Sequence, residues 1–407
     1  MLVEADPEDV GMSSDGLRNV SRLVEGYVDD GKFPGAICLV ARRGKVVHLT
    51  VHGSMDLERN RPVRTDTIFR IYSMTKPIAS VALMKLYEEG RFQLDDPASR
   101  FLPELAGMKV FDGGTADDYR VRDAAREMTV RDLLMHTSGL GSYTARSPVA
   151  ELYRRAGLLG PESVGLTLED LVPQLAGLPL QADPGTRWIY GISTDLVGRL
   201  CEVISGQSFD HYLQERIFEP LGMVDTGFGV PSDKVDRFAA SYAPQEGSPR
   251  YRLLDDPATS HYTKPQTYFS GVAGLVSTAA DYLRFCRMLA NGGELDGARV
   301  LGPRTLRLMT ENHLPGGVDL TKMAETGGET KRQGQGFGLG FGVLLDQTVA
   351  QTIGTPGEIF WGGAASTAFF VTPAEDLIMV FLTQLRPSAT YPIRRELRAT
   401  IYSSIVD

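Results

Sequence analysis

The placement of the β-like segments constrains this chain most: they lie near its two ends, while the long middle reads as helical. Residues 36–41 and 45–51 are apolar and β-branched, joined by Arg42-Arg43-Gly44, with a glycine where a tight hairpin needs positive φ. Residues 337–345, 366–372 and 377–383 also read as strands, the last two linked by Pro373-Ala374-Glu375-Asp376, before a final helix over about 393–405. Apolar spacing predicts a capped helix over 17–28 behind Ser13 and Ser14, and another from near Ser73 to Glu89-Gly90. Further helices are expected over 129–135, 168–175, 194–204, 209–217 and 279–290.

This order predicts an α+β fold: a mostly antiparallel sheet built from N- and C-terminal segments, flanked by helices, with a helical domain inserted. The expected division is 1–91 with 316–407 for the sheet domain and 92–315 for the helical one, part of whose C-terminal section returns to the sheet. The cleft between them is the expected site. The stretches 110–127, 141–165 and 313–334 carry few periodic apolar residues and are expected as loops, some bordering that cleft.

Composition narrows the function. The 407 residues carry 42 Lys and Arg against 51 Asp and Glu, a formal charge of −9, which argues against a dedicated binder of nucleic acid or anionic membrane. With 42% hydrophobic and 23% charged residues the chain has the balance of a folded globule. Cys38, Cys201 and Cys286 form neither a disulfide framework nor a metal cluster. The first residues lack a basic n-region and an apolar h-region, and nothing approaches a membrane span, so the expected compartment is the cytoplasm.

Ser73-Met74-Thr75-Lys76 is a single Ser-x-x-Lys, following a β-like run (67–71) at the head of a helix. Residues i and i+3 share a helical face, so Lys76 can reach the Ser73 hydroxyl, and the positive end of the helix dipole favours negative charge developing there. From here on the chain resembles the serine β-lactamase and penicillin-binding-protein superfamily, specifically the class C β-lactamase-like esterases called family VIII carboxylesterases. The similarity is carried by 71–76, Leu133-Leu134-Met135-His136-Thr137-Ser138-Gly139-Leu140, Pro184-Gly185-Thr186, Leu221-Gly222-Met223, Gly271-Val272-Ala273-Gly274-Leu275 and Phe360-Trp361-Gly362-Gly363, in that order.

The resemblance implies a β-lactamase/transpeptidase-like fold with Ser73 as nucleophile, Lys76 as its activator and Tyr190 as the second member of the base pair. It implies no cofactor and no metal. Either the tyrosine or the lysine can take the serine proton, and the residues do not choose between them. The oxyanion donors are expected to be the backbone N–H groups of Ser73 and Ala364. Gly362 and Gly363 are expected to let a substrate approach the strand edge closely, and Trp361, Ile192, Ser138 and Tyr143 to line the cleft.

Two departures bear on the substrate. Trp361-Gly362-Gly363 stands where class C β-lactamases have Lys-Thr-Gly, and Ile192 replaces the asparagine of Tyr-x-Asn. An indole and an aliphatic chain favour neutral, apolar substrates, so the expected activity is hydrolysis of short-to-medium acyl esters, with some β-lactam turnover possible on the shared nucleophile. A β-lactamase, a D-amino-acid peptidase, an acyltransferase and a non-catalytic ligand-binding relative stay open as alternatives. No serine sits in a Gly-x-Ser-x-Gly elbow. His136 is expected to be structural. His48 and His52, four residues apart on a strand, stand roughly 13 Å from each other and cannot share a metal. The glycines at 334, 336, 338, 340 and 342 run into a strand and read as close packing.

Overall fold

The computed structural model describes residues 3–142, 144–158, 165–245, 247, 251–324 and 333–407. Eight strands form one sheet: β1 (Gly35–Arg42), β2 (Lys45–Asp56), β3 (Arg61–Pro62), β4 (Gln335–Phe337), β5 (Gly342–Leu344), β6 (Ile359–Gly362), β7 (Ala368–Thr372) and β8 (Leu377–Thr383). Their spatial order is β4-β5-β6-β7-β8-β1-β2-β3, and every neighbouring pair is antiparallel. The seam between the N- and C-terminal groups is β1 on β8, with Ala36 opposite Thr383 and Arg42 opposite Leu377. Arg43 and Gly44 turn the β1–β2 hairpin with φ of 48° and 75°, the primed turn that matches strand twist.

Five helices pack about the sheet and the core beneath it: α1 (Ser14–Asp29), α2 (Thr75–Glu88), α3 (Ser193–Ser205), α4 (Ala279–Ala290) and α5 (Ile393–Tyr402). Alternation along the strands sends side chains into two layers. Ala36, Cys38, Val40, Phe370, Met379 and Phe381 pack with Leu17, Val20 and Val24 of α1 and Leu397 and Ile401 of α5. Ile37, Leu39, Phe369, Val371 and Val380 face the other way, into a core shared with α2, α3 and α4. α2 is buried from Thr75 through Met84, as befits a helix apolar on nearly every side. α4 lies on the sheet, with Tyr282 5.1 Å from Phe369, ring to ring. The three cysteines are free and buried.

Three expectations are corrected. Residues 337–345 do not form one strand: β4 and β5 are separate, and the chain reverses between them. Gly340 makes this possible with φ of 94°, seated so close to α2 that a Cβ would lie 2.2 Å from the Ser80 hydroxyl oxygen. Residues 110–127 are not all loop but hold a hairpin, Lys109–Gly114 with Tyr119–Asp123, whose second strand is exposed throughout and so left no apolar alternation to read. The 141–165 stretch contains the short helix Pro148–Arg155, capped by the Ser147 hydroxyl. Among the described residues no helix is long and apolar enough to cross a membrane.

Candidate active site

The segment entering α2 is anchored before it reaches Ser73. Phe69 and Arg70 pair with Ser277 and Val276, which brings the 268–275 loop alongside. Arg70 is fully buried; its Nε donates to Asp255 at 2.7 Å, and its guanidinium lies 3.9 Å from the Phe238 ring centroid. Tyr72 then adopts φ of 45°, an unfavourable conformation for a bulky residue. Its ring is held among Val272, Ala273 and Ala365, with the Arg386 guanidinium 5.1 Å away. A single 3₁₀ turn, Tyr72–Met74, follows and runs into α2, placing Ser73 half-buried at the helix head.

Lys76, 1% exposed, donates from Nζ to Ser73 Oγ at 3.2 Å and to the Val272 carbonyl at 2.9 Å. Its ammonium also stands 4.4 Å from the centre of the Tyr190 ring. Tyr190 is wedged in an aromatic group, stacked on Trp188 at 5.6 Å and edge-on to His136 at 5.0 Å. Its Oη accepts the Trp361 indole N–H at 3.1 Å. Among the described residues it makes no hydrogen bond to Ser73 or Lys76, so Tyr190 approaches Lys76 through its ring face.

Across from α2, the end of β6 and the turn after it bring Trp361, Gly362, Gly363 and Ala364 to the site. A Cβ on Gly363 would lie 2.3 Å from the Ile71 carbonyl oxygen, and one on Gly362 2.6 Å from the Arg394 guanidinium. The two glycines therefore admit the protein's own nucleophile segment and α5. The backbone N–H groups of Ser73 and Ala364 reach no acceptor among the described residues. A cavity of about 280 Å³ opens here, lined by Ser73, Tyr190, Trp361–Ala364 and the apolar side chains of Phe360, Phe370 and Met379. Two arginines of α5 reach it, and both are engaged by the protein: Arg394 with the carbonyls of Gly363 and Thr367, Arg398 with the buried Glu358.

The Beta-lactamase family model matches residues 20–402. The chain belongs to the Beta-lactamase family. Protein Rv1367c of Mycobacterium tuberculosis is 35% identical over 363 residues, 88% of each chain. Esterase EstB of Burkholderia gladioli is 31% identical over 388 residues, 91% of each. The structure of EstCE1, a hydrolase with promiscuous acyltransferase activity, superposes with a TM-score of 0.81 at 28% identity, covering 95% of this chain and 99% of that one.

In this Beta-lactamase-family chain, the structure brings Ser73, Lys76, Tyr190, Trp361 and the 362–364 backbone to one place. Two other expected residues do not line the cavity. Ile192 is fully buried in the core ahead of α3, because an aliphatic side chain at a helix start turns inward. Ser138, 1% exposed, is occupied with Ser193 Oγ at 2.9 Å. Tyr143 lies outside the described residues. His136 closes the helix Val130–Met135 with φ of 60°, and its carbonyl accepts the Ile189 N–H, one residue before Tyr190. Burial holds its imidazole well below the usual pKa, with Lys76 adding to the effect, so it is neutral at pH 7.

Sequence reasoning missed Asp195, Tyr72 and the Val272 carbonyl. Val272 lies within one of the family motifs, but nothing there marked its carbonyl as a lysine acceptor. Asp195 looks like any acidic residue in a first helical turn. Among the described residues no group of three or more His, Cys, Asp and Glu could hold a metal.

Proposed function

We propose that this chain is a serine hydrolase of neutral, apolar carboxylic esters, working through an acyl-enzyme on Ser73. The observation that carries this is the Lys76-bonded Ser73 hydroxyl at an apolar-walled cavity, beside two backbone N–H groups with no acceptor among the described residues. Ser73 Oγ attacks the ester carbonyl carbon while its proton passes to the unprotonated member of the Lys76–Tyr190 pair, Lys76 as the free amine or Tyr190 as the phenolate. The charge gathering on the carbonyl oxygen is met by the N–H groups of Ser73 and Ala364. The carbon–oxygen bond to the alcohol then breaks, and the pair returns the proton to the departing oxygen. Water repeats the sequence with Ser73 as the leaving group.

Trp361 takes part as a donor to Tyr190 Oη and as an apolar wall. The cations near the cavity already serve protein acceptors, which favours uncharged esters over β-lactam carboxylates. In this scheme residues 1–91 with 316–407 supply the strand wall and the nucleophile, and 92–315 supply Tyr190, with α4 counted on the sheet side.

The test is intact-mass spectrometry with peptide mapping after fluorophosphonate treatment, run beside p-nitrophenyl butyrate and nitrocefin turnover. A single adduct on Ser73 with fast ester and slow nitrocefin hydrolysis is expected. Fast nitrocefin turnover would move the activity to β-lactam hydrolysis, and no adduct with no turnover would leave a ligand-binding protein. Acyl transfer is a second reading, favoured by the likeness to EstCE1 and by apolar walls that can hold the body of an alcohol. Preference for n-butanol over water in product partition would establish it.

A further inference from the structure

Asp195 is fully buried in the first turn of α3, five positions after Tyr190, and its carboxylate meets three donors from one loop. Oδ1 accepts from Ser270 Oγ at 2.7 Å and from the Val272 N–H at 3.0 Å, and Oδ2 accepts from Tyr268 Oη at 2.9 Å. The loop closes on α3 tightly enough that a Cβ on Gly271 would lie 2.3 Å from the Thr194 carbonyl oxygen. Val272 is thereby gripped at both ends, its N–H by Asp195 and its carbonyl by Lys76 Nζ.

We propose that Asp195 is a positioning residue for acylation: it fixes the Val272 carbonyl that aims Lys76 at Ser73, and its charge balances the buried ammonium. A lysine this deeply buried, with a flexible four-carbon stem, points at one hydroxyl only if its other hydrogens have fixed acceptors. The acceptors are Ser73 Oγ, the Val272 carbonyl and the face of Tyr190; Asp195 sets the second. Burial holds the Asp195 carboxyl above the usual carboxylate range, with Ser270, the Val272 N–H, Tyr268 and the Lys76 charge pulling it part of the way back. The titratable groups facing this relay are Lys76 from α2, Tyr268 from the loop, and Tyr190 and the neutral His136 on the far side of Lys76.

The proposal rests on Ser73 being the nucleophile, so the wild-type fluorophosphonate adduct is measured alongside; its absence would sink that assignment itself. Kinetics with p-nitrophenyl butyrate are then followed from about pH 5 to pH 10 for Asp195→Ala, Asp195→Asn and Ser270→Ala. Asp195→Ala should lose about a hundredfold in kcat/KM, mostly in kcat, with a matching fall in labelling rate. Asp195→Asn keeps an acceptor for Ser270 and Val272, and Tyr268 can turn its hydroxyl to accept from the new amide. It should therefore keep its folding and KM, while loss of the negative charge moves the acid limb of kcat/KM down by about 0.5–1 pH unit. Ser270→Ala leaves the charge in place and should slow turnover by no more than about fivefold, without moving the limb. If Asp195→Ala fails to fold, the other two variants still decide. An Asp195→Asn profile superimposable on wild type, or wild-type labelling rates in both Asp195 variants while wild type labels normally, would overturn the proposal.

Discussion

The two walls of the cavity are built on different principles. On the helix side, Ser73 faces the cavity, and behind it Lys76 and Asp195 are polar side chains joined through Val272, so this side is defined by which functional groups stand there. On the strand side, 362–364 contributes backbone, and its glycines are where they are because the nucleophile segment and α5 press against them. The first should respond most to loss of a functional group, the second most to added volume. Trp361 belongs to both, a strand residue whose indole N–H serves the tyrosine.

Substitutions can break this contrast. Ser73→Ala should lower ester turnover by about ten-thousand-fold and abolish the adduct, with an unchanged melting temperature. An adduct that survives would move the nucleophile elsewhere. Tyr190→Phe should cost roughly 10²–10³-fold in kcat by removing only Oη from a ring that stays packed, as stopped-flow acylation would show. Gly363→Ala should behave in the opposite way. Its Cβ must displace the Ile71 carbonyl or the Thr367 side chain, so thermal or urea unfolding should show a loss of about 1–3 kcal/mol along with reduced activity. Full stability with lost activity would mean that substrate, and not the nucleophile segment, needs the space. The smallest effect belongs to the residue on both walls. Trp361→Phe keeps a ring but loses the donor to Oη, and kcat should fall about tenfold with little change in melting temperature. A loss carried by KM would assign the indole to substrate contact instead.

Legibility in the sequence followed the same division. Strand 377–383 and helix 279–290 were readable to the residue, because each is a dense apolar run packed in the core. The hairpin over 109–123 was not, since an exposed second strand carries no alternation, and the β4–β5 reversal was hidden because glycine suits a strand and a turn alike. Ser73, Lys76 and Tyr190 could be nominated because a motif marks side chains. Ile192 and Ser138 were misplaced because nearness to Tyr190 or to a motif does not say which way a side chain faces. The positive φ of Tyr72 and the reach of Asp195 to Val272 exist only in three dimensions.

The seam between β1 and β8 also governs how the molecule is made. Ala36 waits for Thr383, so closing the sheet means ordering a loop that spans most of the polypeptide, an entropic toll that slows folding. Until then β1, apolar towards both layers, has an open edge facing β8. Ser73 leaves the ribosome early, but Ala364 and the strands behind it leave late, so under the proposed mechanism a nascent chain should be inert until its C-terminal strands are free. A chain ending before residue 377 should accordingly expose the β1 edge and aggregate readily.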